Sequence, residues 1–122
     1  MLSGFLITYL LLKEWGRFEQ AAKLDRRAAI MSISMGAFQI VGMNYKLCGY
    51  KSPEEFFEAM QKNEGKQLKA FCNFIKNRGL VDELRRKDFL NFSLIYNGPS
   101  ARLHYYPERL EAAYKRLKLR QK

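Results

Sequence analysis

The segment Met31–Gly49, which reads MSISMGAFQIVGMNYKLCG, is the part of the sequence with the most evident potential for chemistry. Serine, glutamine and asparagine stand there among apolar residues. Polar side chains in an apolar loop commonly line a site, because buried polar groups must find hydrogen-bond partners. Glycines at positions 36, 42 and 49 break any regular period and permit tight backbone paths. The segment predicts an irregular site-lining loop, and a structural turn or short hairpin is the alternative.

The two cysteines and the one histidine offer a second kind of chemistry. Cys48 and Cys72 have no cysteine or histidine neighbour at metal-ligand spacing, and His104 is the only histidine, so we expect no metal site and no cofactor. A cysteine–histidine catalytic pair is formally available, but no local motif supports it. We expect two reduced thiols packed as small apolar groups, with a single disulfide as the alternative.

The net charge of the chain is +10, from 22 Lys and Arg against 12 Asp and Glu. Such a charge attracts polyanions, which include nucleic acid, an anionic membrane and the bacterial cell wall. The segment Lys115–Lys122 carries cations and no acid. This is typical of a solvated helix end, where cations suit the helix dipole, and a dedicated anion site is the alternative.

The elements that must position these residues are mostly helices. A helix is expected over Glu14–Ile30, and the sequence Ser52-Pro53-Glu54-Glu55 predicts a second helix start with a serine cap and a capping box. A break near residues 63–65 and a further helix from about Lys66 to Gly79 follow. The predicted inward faces are Phe18, Ala21, Ala22, Asp25 and Ala29 in the first helix, Phe56, Phe57 and Met60 in the second, and Leu68, Phe71, Cys72 and Ile75 in the third.

Four shorter signals predict the rest of the chain. A short helical piece is expected over Val81–Arg86, Asp88 can cap the next helix, and the sequence Asn97-Gly98-Pro99-Ser100 ends that helix as a turn. Pro107 opens the last helix. Its predicted inward residues are Leu110, Ala113, Tyr114 and Leu117. The fold class is therefore mostly α, with five or six helices and one irregular glycine-rich loop or short hairpin.

Two segments, Ala28–Tyr45 and Tyr96–Leu117, resemble the N-acetylmuramidase domain of phage endolysins and bacterial autolysins, within the lysozyme-like superfamily. That family has the pattern Ser-Trp-Gly-x-x-Gln-Ile-x-Gly-x-Asn, followed later by Tyr-Asn-Gly-Pro and a closing amphipathic helix. The resemblance runs from about Gly16 to Leu117. It predicts an apolar N-terminus unrelated to the family over residues 1–15 and a partial lysozyme-like domain over residues 16–122.

The resemblance implies a cleft for peptidoglycan, whose β-1,4 bond between N-acetylmuramic acid and N-acetylglucosamine the intact family cleaves. Amide side chains can donate to and accept from sugar hydroxyls and N-acetyl groups, and aromatic rings offer flat faces to sugar rings. By position, the first wall would consist of Ser34, Gly36, Gln39 and Ile40. The second wall would consist of Tyr96, Asn97 and Gly98, with Tyr45, Tyr96 and Phe38 as the flat faces.

The sequence departs from the family pattern at three points. Met35 stands where the pattern has Trp, and His104 stands where it usually has Asn. The family's catalytic glutamate lies in an upstream Glu-Ser-(Ser/Gly)-Gly motif, and no such motif occurs in this sequence. An N-terminal truncation or a frame-disrupted gene remnant would explain its absence together with the apolar run Phe5–Leu12.

Glu19 is the best placed substitute for the missing acid. Glycoside hydrolysis needs a carboxylic acid held in a partly apolar pocket to protonate the leaving oxygen. The sequence Glu19-Gln20-Ala21-Ala22, however, lacks the small cleft-entering residues that normally follow the acid, which favours a solvent-facing helix carboxylate. We therefore expect peptidoglycan binding with impaired or absent cleavage, and leave open whether the chain is an enzyme.

Two other function classes compete with this interpretation. A basic helical nucleic-acid-binding protein is the alternative favoured by charge, although no DNA-reading module is apparent. A membrane-active product would use Phe5–Leu12, but this run is too short to span a bilayer and lacks the flanking features of a signal peptide. The resemblance to endolysins and autolysins, by contrast, implies a protein that is either held in the cytoplasm until release or located at the cell envelope.

Overall fold

The computed structural model describes the backbone of residues 4–121 and the side chains of residues 15–121. Over this range the chain forms six α-helices and one two-stranded antiparallel hairpin. The helices are α1 (Gly4–Ser32), α2 (Pro53–Lys62), α3 (Glu64–Arg78), α4 (Val81–Arg85), α5 (Phe89–Asn97) and α6 (Tyr106–Arg120), and the strands are β1 (Ser34–Met35) and β2 (Ile40–Val41). The predicted fold class, mostly α with a short hairpin in the glycine-rich segment, is confirmed.

The chain divides into two compact units, Met1–Asn77 and Arg78–Lys122. The first unit contains the hairpin and its neighbouring helices, and the second contains α4, α5 and α6. Within residues 4–121, no helix has the length and apolar character that a membrane crossing needs. The apolar run Phe5–Leu12 lies in α1, and its side chains fall outside the described residues.

Helix α1 contains a kink at Asp25, whose φ of −156° and ψ of 101° are not helical. The Asp25 Oδ1 atom accepts a hydrogen bond from the Ala28 backbone N at 3.0 Å, so this carboxylate caps the second half of the helix. The predicted inward face of this helix is therefore partly wrong. Phe18 and Ala29 are buried, but Ala21 and Asp25 are exposed, because the kink interrupts the regular helical period.

Polar caps define the boundaries of α2 and α3. The Ser52 hydroxyl accepts from Glu55 N at 3.1 Å, as predicted, while Glu55 Oε2 accepts from Lys51 N at 3.2 Å, one residue before the position of a standard capping box. The Asn63 Oδ1 atom accepts from Lys66 N at 2.9 Å. This asparagine cap lets α3 begin at Glu64, slightly earlier than predicted.

The core of the first unit is built from α1, the hairpin, α2 and α3. The rings of Trp15 and Phe57 both pack on Phe18, with centroid distances of 5.2 and 5.3 Å. The predicted inward face of α3 is wrong at Leu68, which is 53% exposed, and at Cys72, which is also exposed. The helix instead buries Ala70 and Phe74, together with the predicted Ile75. The buried apolar residues of this unit are Phe18, Ala29, Ile30, Met35, Ile40, Cys48, Phe56, Phe57, Ala59, Met60, Ala70, Phe74 and Ile75.

The second unit packs α5 against α4 and α6. The predicted cap is confirmed, since Asp88 Oδ1 accepts from Asn91 N at 3.2 Å. The rings of Phe89 and Tyr114 lie 6.1 Å apart, which places α6 on α5. The prediction that Leu117 faces inward is wrong, because the last turns of α6 extend beyond its packed part and leave this side chain 57% exposed. The fully buried or nearly buried residues are Leu80, Phe92, Ser93 and Ala101.

Candidate functional site

The glycine-rich segment folds into a hairpin that separates apolar from polar side chains. Strand β1 pairs with β2 so that Ser34 lies opposite Val41 and Met35 lies opposite Ile40. Met35 and Ile40 are buried and hold the hairpin to the core, whereas Ser34 is exposed. Ile40 therefore supports the predicted first wall from beneath, and Met35 fills the inward position on the opposite strand.

The turn between the strands carries the predicted residues Gly36 and Gln39. Both have a left-handed backbone, with φ of +74° and +51°. The Gly36 carbonyl oxygen accepts two hydrogen bonds from Gln39, one from its backbone N at 3.2 Å and one from its side-chain Nε2 at 2.9 Å. A left-handed conformation at a residue other than glycine is costly, and such residues cluster at functional sites.

A glutamine of α3, Gln67, fastens this turn to the first unit. Its Oε1 atom accepts from Ala37 N at 2.9 Å, and its Nε2 atom donates to the Met60 carbonyl oxygen at 2.8 Å. We call this pair of bonds the Gln67 bridge. Sequence analysis missed Gln67, because a glutamine on a partly exposed helix carries no periodic or capping signal for a contact with a distant turn.

The base of the hairpin lies directly against the end of α1. Gly42 N donates to the Ile33 carbonyl oxygen at 2.8 Å. A Cβ atom placed on Gly42 would lie 1.9 Å from the Ile30 carbonyl oxygen, which no side chain can tolerate. Gly42 is therefore required for the close approach of two backbones rather than for an unusual φ.

Two asparagines of α3 hold the loop that follows the hairpin. Asn73 Nδ2 donates to the Cys48 carbonyl oxygen at 3.1 Å, and Asn77 Nδ2 donates to the Leu47 carbonyl oxygen at 2.8 Å. Tyr45, a predicted sugar-stacking residue, lies half-buried at the start of this loop, with Lys46 Nζ 5.9 Å from its ring centroid. The helix α3 thus anchors the whole segment through side chain-to-backbone hydrogen bonds.

The aromatic rings near the predicted walls already have neighbours. Phe38 stacks on Phe71 with centroids 4.3 Å apart and an interplanar angle of 15°. Tyr96 stacks on Phe92 at 5.4 Å and 11°. Each of these rings therefore stacks on a neighbouring ring within the protein.

The thiols do not form a disulfide. Both cysteines are free. Burial raises the pKa of the Cys48 thiol to about 11, so the nucleophilic thiolate is scarce at neutral pH. The expectation that both thiols pack as apolar groups is right for Cys48 and wrong for Cys72, which is exposed. Within the described residues, no group of three or more His, Cys, Asp or Glu side chains could hold a metal ion.

The predicted second wall lies in the second unit, at the end of α5. Asn97 is the last residue of this helix and is exposed, and Gly98 follows it with φ of 82° and ψ of −173°. Ala101 N donates to the Gly98 carbonyl oxygen at 3.1 Å, which closes the turn. The structure thus brings Ser34, Gly36 and Gln39 together in one hairpin and Tyr96, Asn97 and Gly98 together in one turn. The pairing of these two sets as walls of one cleft stays a prediction.

Two carboxylates are candidates for acid–base chemistry. Glu19 is exposed, and its Oε1 atom accepts from the indole Nε1 of Trp15 at 2.8 Å. Glu83, which sequence analysis did not consider, has a buried Oε2 atom with no hydrogen-bond partner among the described residues. Its Oε1 atom lies 3.8 Å from Arg86 Nη2. Glu83 has no motif around it, and only its burial distinguishes it.

Comparisons with known proteins agree with the resemblance that the sequence carries. The model of the N-acetylmuramidase family matches residues 8–118. The crystal structure of the endolysin of Burkholderia AP3 phage is similar to this chain, with a TM-score of 0.80 and 31% sequence identity over 88% of this chain. The match covers 42% of the solved endolysin chain, so this chain spans less than half of its length. A comparison with curated proteins finds no match.

Proposed function

We propose, from the premise that this chain belongs to the N-acetylmuramidase family, that it binds the N-acetylated glycan strands of peptidoglycan. The solved protein that it is similar to is a phage endolysin. In this proposal the contacts are made by the residues predicted from sequence, Ser34, Gly36, Gln39 and Tyr45 in the first unit and Tyr96, Asn97 and Gly98 in the second. The net charge of +10 favours association with an anionic wall.

The observation that carries the proposal is the fixed orientation of the Gln39 amide. Its Nε2 atom donates to the Gly36 carbonyl oxygen at 2.9 Å. Because a carbonyl oxygen can only accept, the amide nitrogen must face Gly36 and the Oε1 atom must point away from it. No described residue donates to Gln39 Oε1, and the side chain is exposed. A glycan strand offers N-acetyl N–H groups and hydroxyl groups that can donate to such an acceptor.

We also propose that cleavage by this chain is impaired or absent. The sequence lacks the family's Glu-Ser-(Ser/Gly)-Gly motif, and Glu19 is exposed rather than enclosed by apolar groups. A general acid for glycoside hydrolysis is usually placed in a partly apolar environment that keeps it protonated. The chain therefore acts in this proposal as a glycan-binding module with at most weak muramidase activity.

Sedimentation with purified peptidoglycan sacculi tests the binding proposal. Wild-type protein should pellet with the sacculi, and Gln39→Ala should weaken the affinity for them about fivefold, because one hydrogen bond of about 1 kcal/mol is lost. The matched control is Gln61→Ala, which removes an exposed glutamine of α2 whose amide, among residues 15–121, bonds to Phe57 O of its own helix at 3.2 Å and to no other group. No sedimentation of folded wild type, or equal losses in both variants, contradicts the proposal.

A zymogram on the same peptidoglycan tests the proposal about cleavage. We expect no clearing, or clearing that the conservative substitutions Glu19→Gln and Glu83→Gln leave unchanged. If clearing occurs and disappears in Glu19→Gln, this exposed carboxylate is the acid and the impairment proposal is wrong. If it disappears in Glu83→Gln instead, the buried carboxylate of the second unit supplies the acid.

The nucleic-acid alternative rests on charge alone and stays a prediction. It expects binding to DNA that weakens steeply with salt concentration, since each neutralised phosphate releases counterions. A titration of duplex DNA against the protein over a range of salt concentrations, alongside the sedimentation assay, separates the two functions.

A further inference from the structure

The turn that carries Gln39 depends on a side chain from a different element. The Ala37 backbone N, inside the turn, donates to Gln67 Oε1 at 2.9 Å, and the same side chain donates from Nε2 to Met60 O at 2.8 Å. Both ends of one amide are therefore used. One end fixes the turn, and the other ties the amide to the last part of α2.

Gly36 fits closely over this amide. A Cβ atom on Gly36 would lie 3.1 Å from Gln67 Cδ and 3.2 Å from Gln67 Oε1. The turn and the amide are consequently in van der Waals contact as well as hydrogen-bonded. Gly36 in turn supplies the carbonyl oxygen that orients Gln39, through the bond from Nε2 at 2.9 Å. A continuous chain of contacts thus runs from Met60 through Gln67 to the Gln39 amide.

We infer that Gln67 is a positioning residue for glycan binding, which fixes the Gly36–Gln39 turn so that Gln39 Oε1 faces an N–H or O–H donor of an N-acetylated sugar. This inference rests on the proposed peptidoglycan function. Gln67 touches no substrate in this role. It acts by ordering the turn before the glycan binds. A flexible turn would instead lose conformational entropy on binding, and its affinity would be lower.

Substitution by Met and by Glu separates the two bonds of the bridge. Gln67→Met keeps the length of the side chain and removes both hydrogen bonds. Gln67→Glu keeps an acceptor for Ala37 N, but its ionised carboxylate cannot donate to Met60 O. A protonated glutamic acid can do both, since its carbonyl oxygen accepts and its hydroxyl donates. The Glu variant should therefore recover the wild-type arrangement as the pH falls toward about 4, the region in which glutamic acid protonates.

The experiment measures sedimentation with sacculi between about pH 7 and pH 4 for the full chain and its variants, with circular dichroism to confirm folding. Relative to wild type at the same pH, we expect Gln67→Met to bind about tenfold more weakly at every pH. Gln67→Glu should be weaker at pH 7 and approach wild type at about pH 4. The matched control, Gln61→Met, makes the same chemical change on α2 and should bind like wild type.

Hydrogen exchange of the Ala37 amide provides a readout that does not depend on glycan. It should accelerate about tenfold in Gln67→Met and stay unchanged in Gln61→Met. If wild type does not bind sacculi, the proposed function fails, and the exchange rate alone decides whether Gln67 fixes the turn. Unchanged Ala37 exchange in Gln67→Met, wild-type binding by that variant, or a flat pH profile for Gln67→Glu relative to wild type would overturn the inference.

Discussion

The two turns that carry the proposed glycan contacts are held in different ways. The Gly36–Gln39 turn of the first unit is fixed by Gln67, a residue 30 positions away from its partner Ala37. The turn after Asn97 in the second unit is formed locally, by the end of α5, a glycine with φ of 82° and the bond from Ala101 N to Gly98 O. One turn therefore depends on tertiary packing and the other mainly on its own sequence.

This difference predicts how each turn responds to damage. The first should fail whenever its neighbours move, even if its own residues are intact. The second should tolerate changes elsewhere in its unit but not a change in its own backbone preferences. Six substitutions, arranged in four comparisons, test the contrast between the two units.

The largest effect is expected for Gly42→Ala, at the base of the hairpin. The added Cβ would lie 1.9 Å from the Ile30 carbonyl oxygen, so the two backbones would have to separate at a point where Gly42 N donates to Ile33 O at 2.8 Å. We expect a loss of about 4 kcal/mol or more in the free energy of unfolding, measured by urea denaturation. A loss below about 1 kcal/mol would mean that the hairpin can separate from α1 at little cost, and that the first turn does not depend on tertiary packing.

A smaller effect is expected for Gly98→Ala in the second turn. Nothing lies within 4 Å of the added Cβ, so the cost arises only from the backbone, whose φ of 82° and ψ of −173° suit glycine. Such strain amounts to about 1–3 kcal/mol. Gly16→Ala is the control, since it also meets nothing within 4 Å and lies in a helix, where alanine should be the more stable residue. Equal losses for Gly42→Ala and Gly98→Ala would remove the distinction between the turns.

A third effect concerns the helix caps of the two units, which should respond differently to pH. Hydrogen bonds from the side chain and backbone N of Asn91 hold the pKa of Asp88 below its usual range, so the cap is strongest when Asp88 is ionised. Its contribution is present above the unfolded pKa of about 3.9 and is lost as the pH falls through the lower folded value. The α2 cap, Ser52, does not titrate. The protection of the Asn91 amide, which is how much more slowly it exchanges than an unstructured amide at the same pH, should therefore fall on acidification, and Asp88→Ser should abolish this dependence. A dependence that persists in the serine variant would contradict the assignment.

The smallest effect is expected at the end of α6. Leu117 is 57% exposed, and its truncation to alanine should change the free energy of unfolding by less than about 0.5 kcal/mol. Leu80, in the same unit, has no exposed surface, and Leu80→Ala should cost about 2–5 kcal/mol. Thermal denaturation followed by circular dichroism gives both values. A large loss for Leu117→Ala would indicate that the last turns of α6 are packed in solution.

Features with local causes were predictable from the sequence. Ser52 and Asp88 cap their helices as predicted, because a cap requires only a side-chain oxygen and a backbone N a few residues away. Gly79 ends α3 with φ of 77°, again a local preference. The grouping of Ser34, Gly36 and Gln39 came from the resemblance to the family, and the structure shows that these residues lie in one hairpin.

Features with distant causes were not predictable in the same way. The exposure of Leu68 and Leu117 depends on where neighbouring elements stop, which helical periodicity does not encode. The kink at Asp25 has a local cause, a side chain that caps the second half of the helix, but it was missed because the sequence around it keeps an unbroken helical pattern. The Gln67 bridge joins an α3 side chain to a turn and to α2, and a single sequence contains no signal for such a pairing.

The contact at Gly42 has a practical meaning for recombining this chain with its relatives. Since two main chains touch there without intervening side chains, the hairpin and the last turn of α1 behave as one exchangeable block. A chimera that takes the hairpin from one homologue and the preceding helix from another must reproduce the same backbone separation by chance. Crossover points for shuffled or ancestral libraries are therefore better placed at the Asp25 kink than at the helix–hairpin junction.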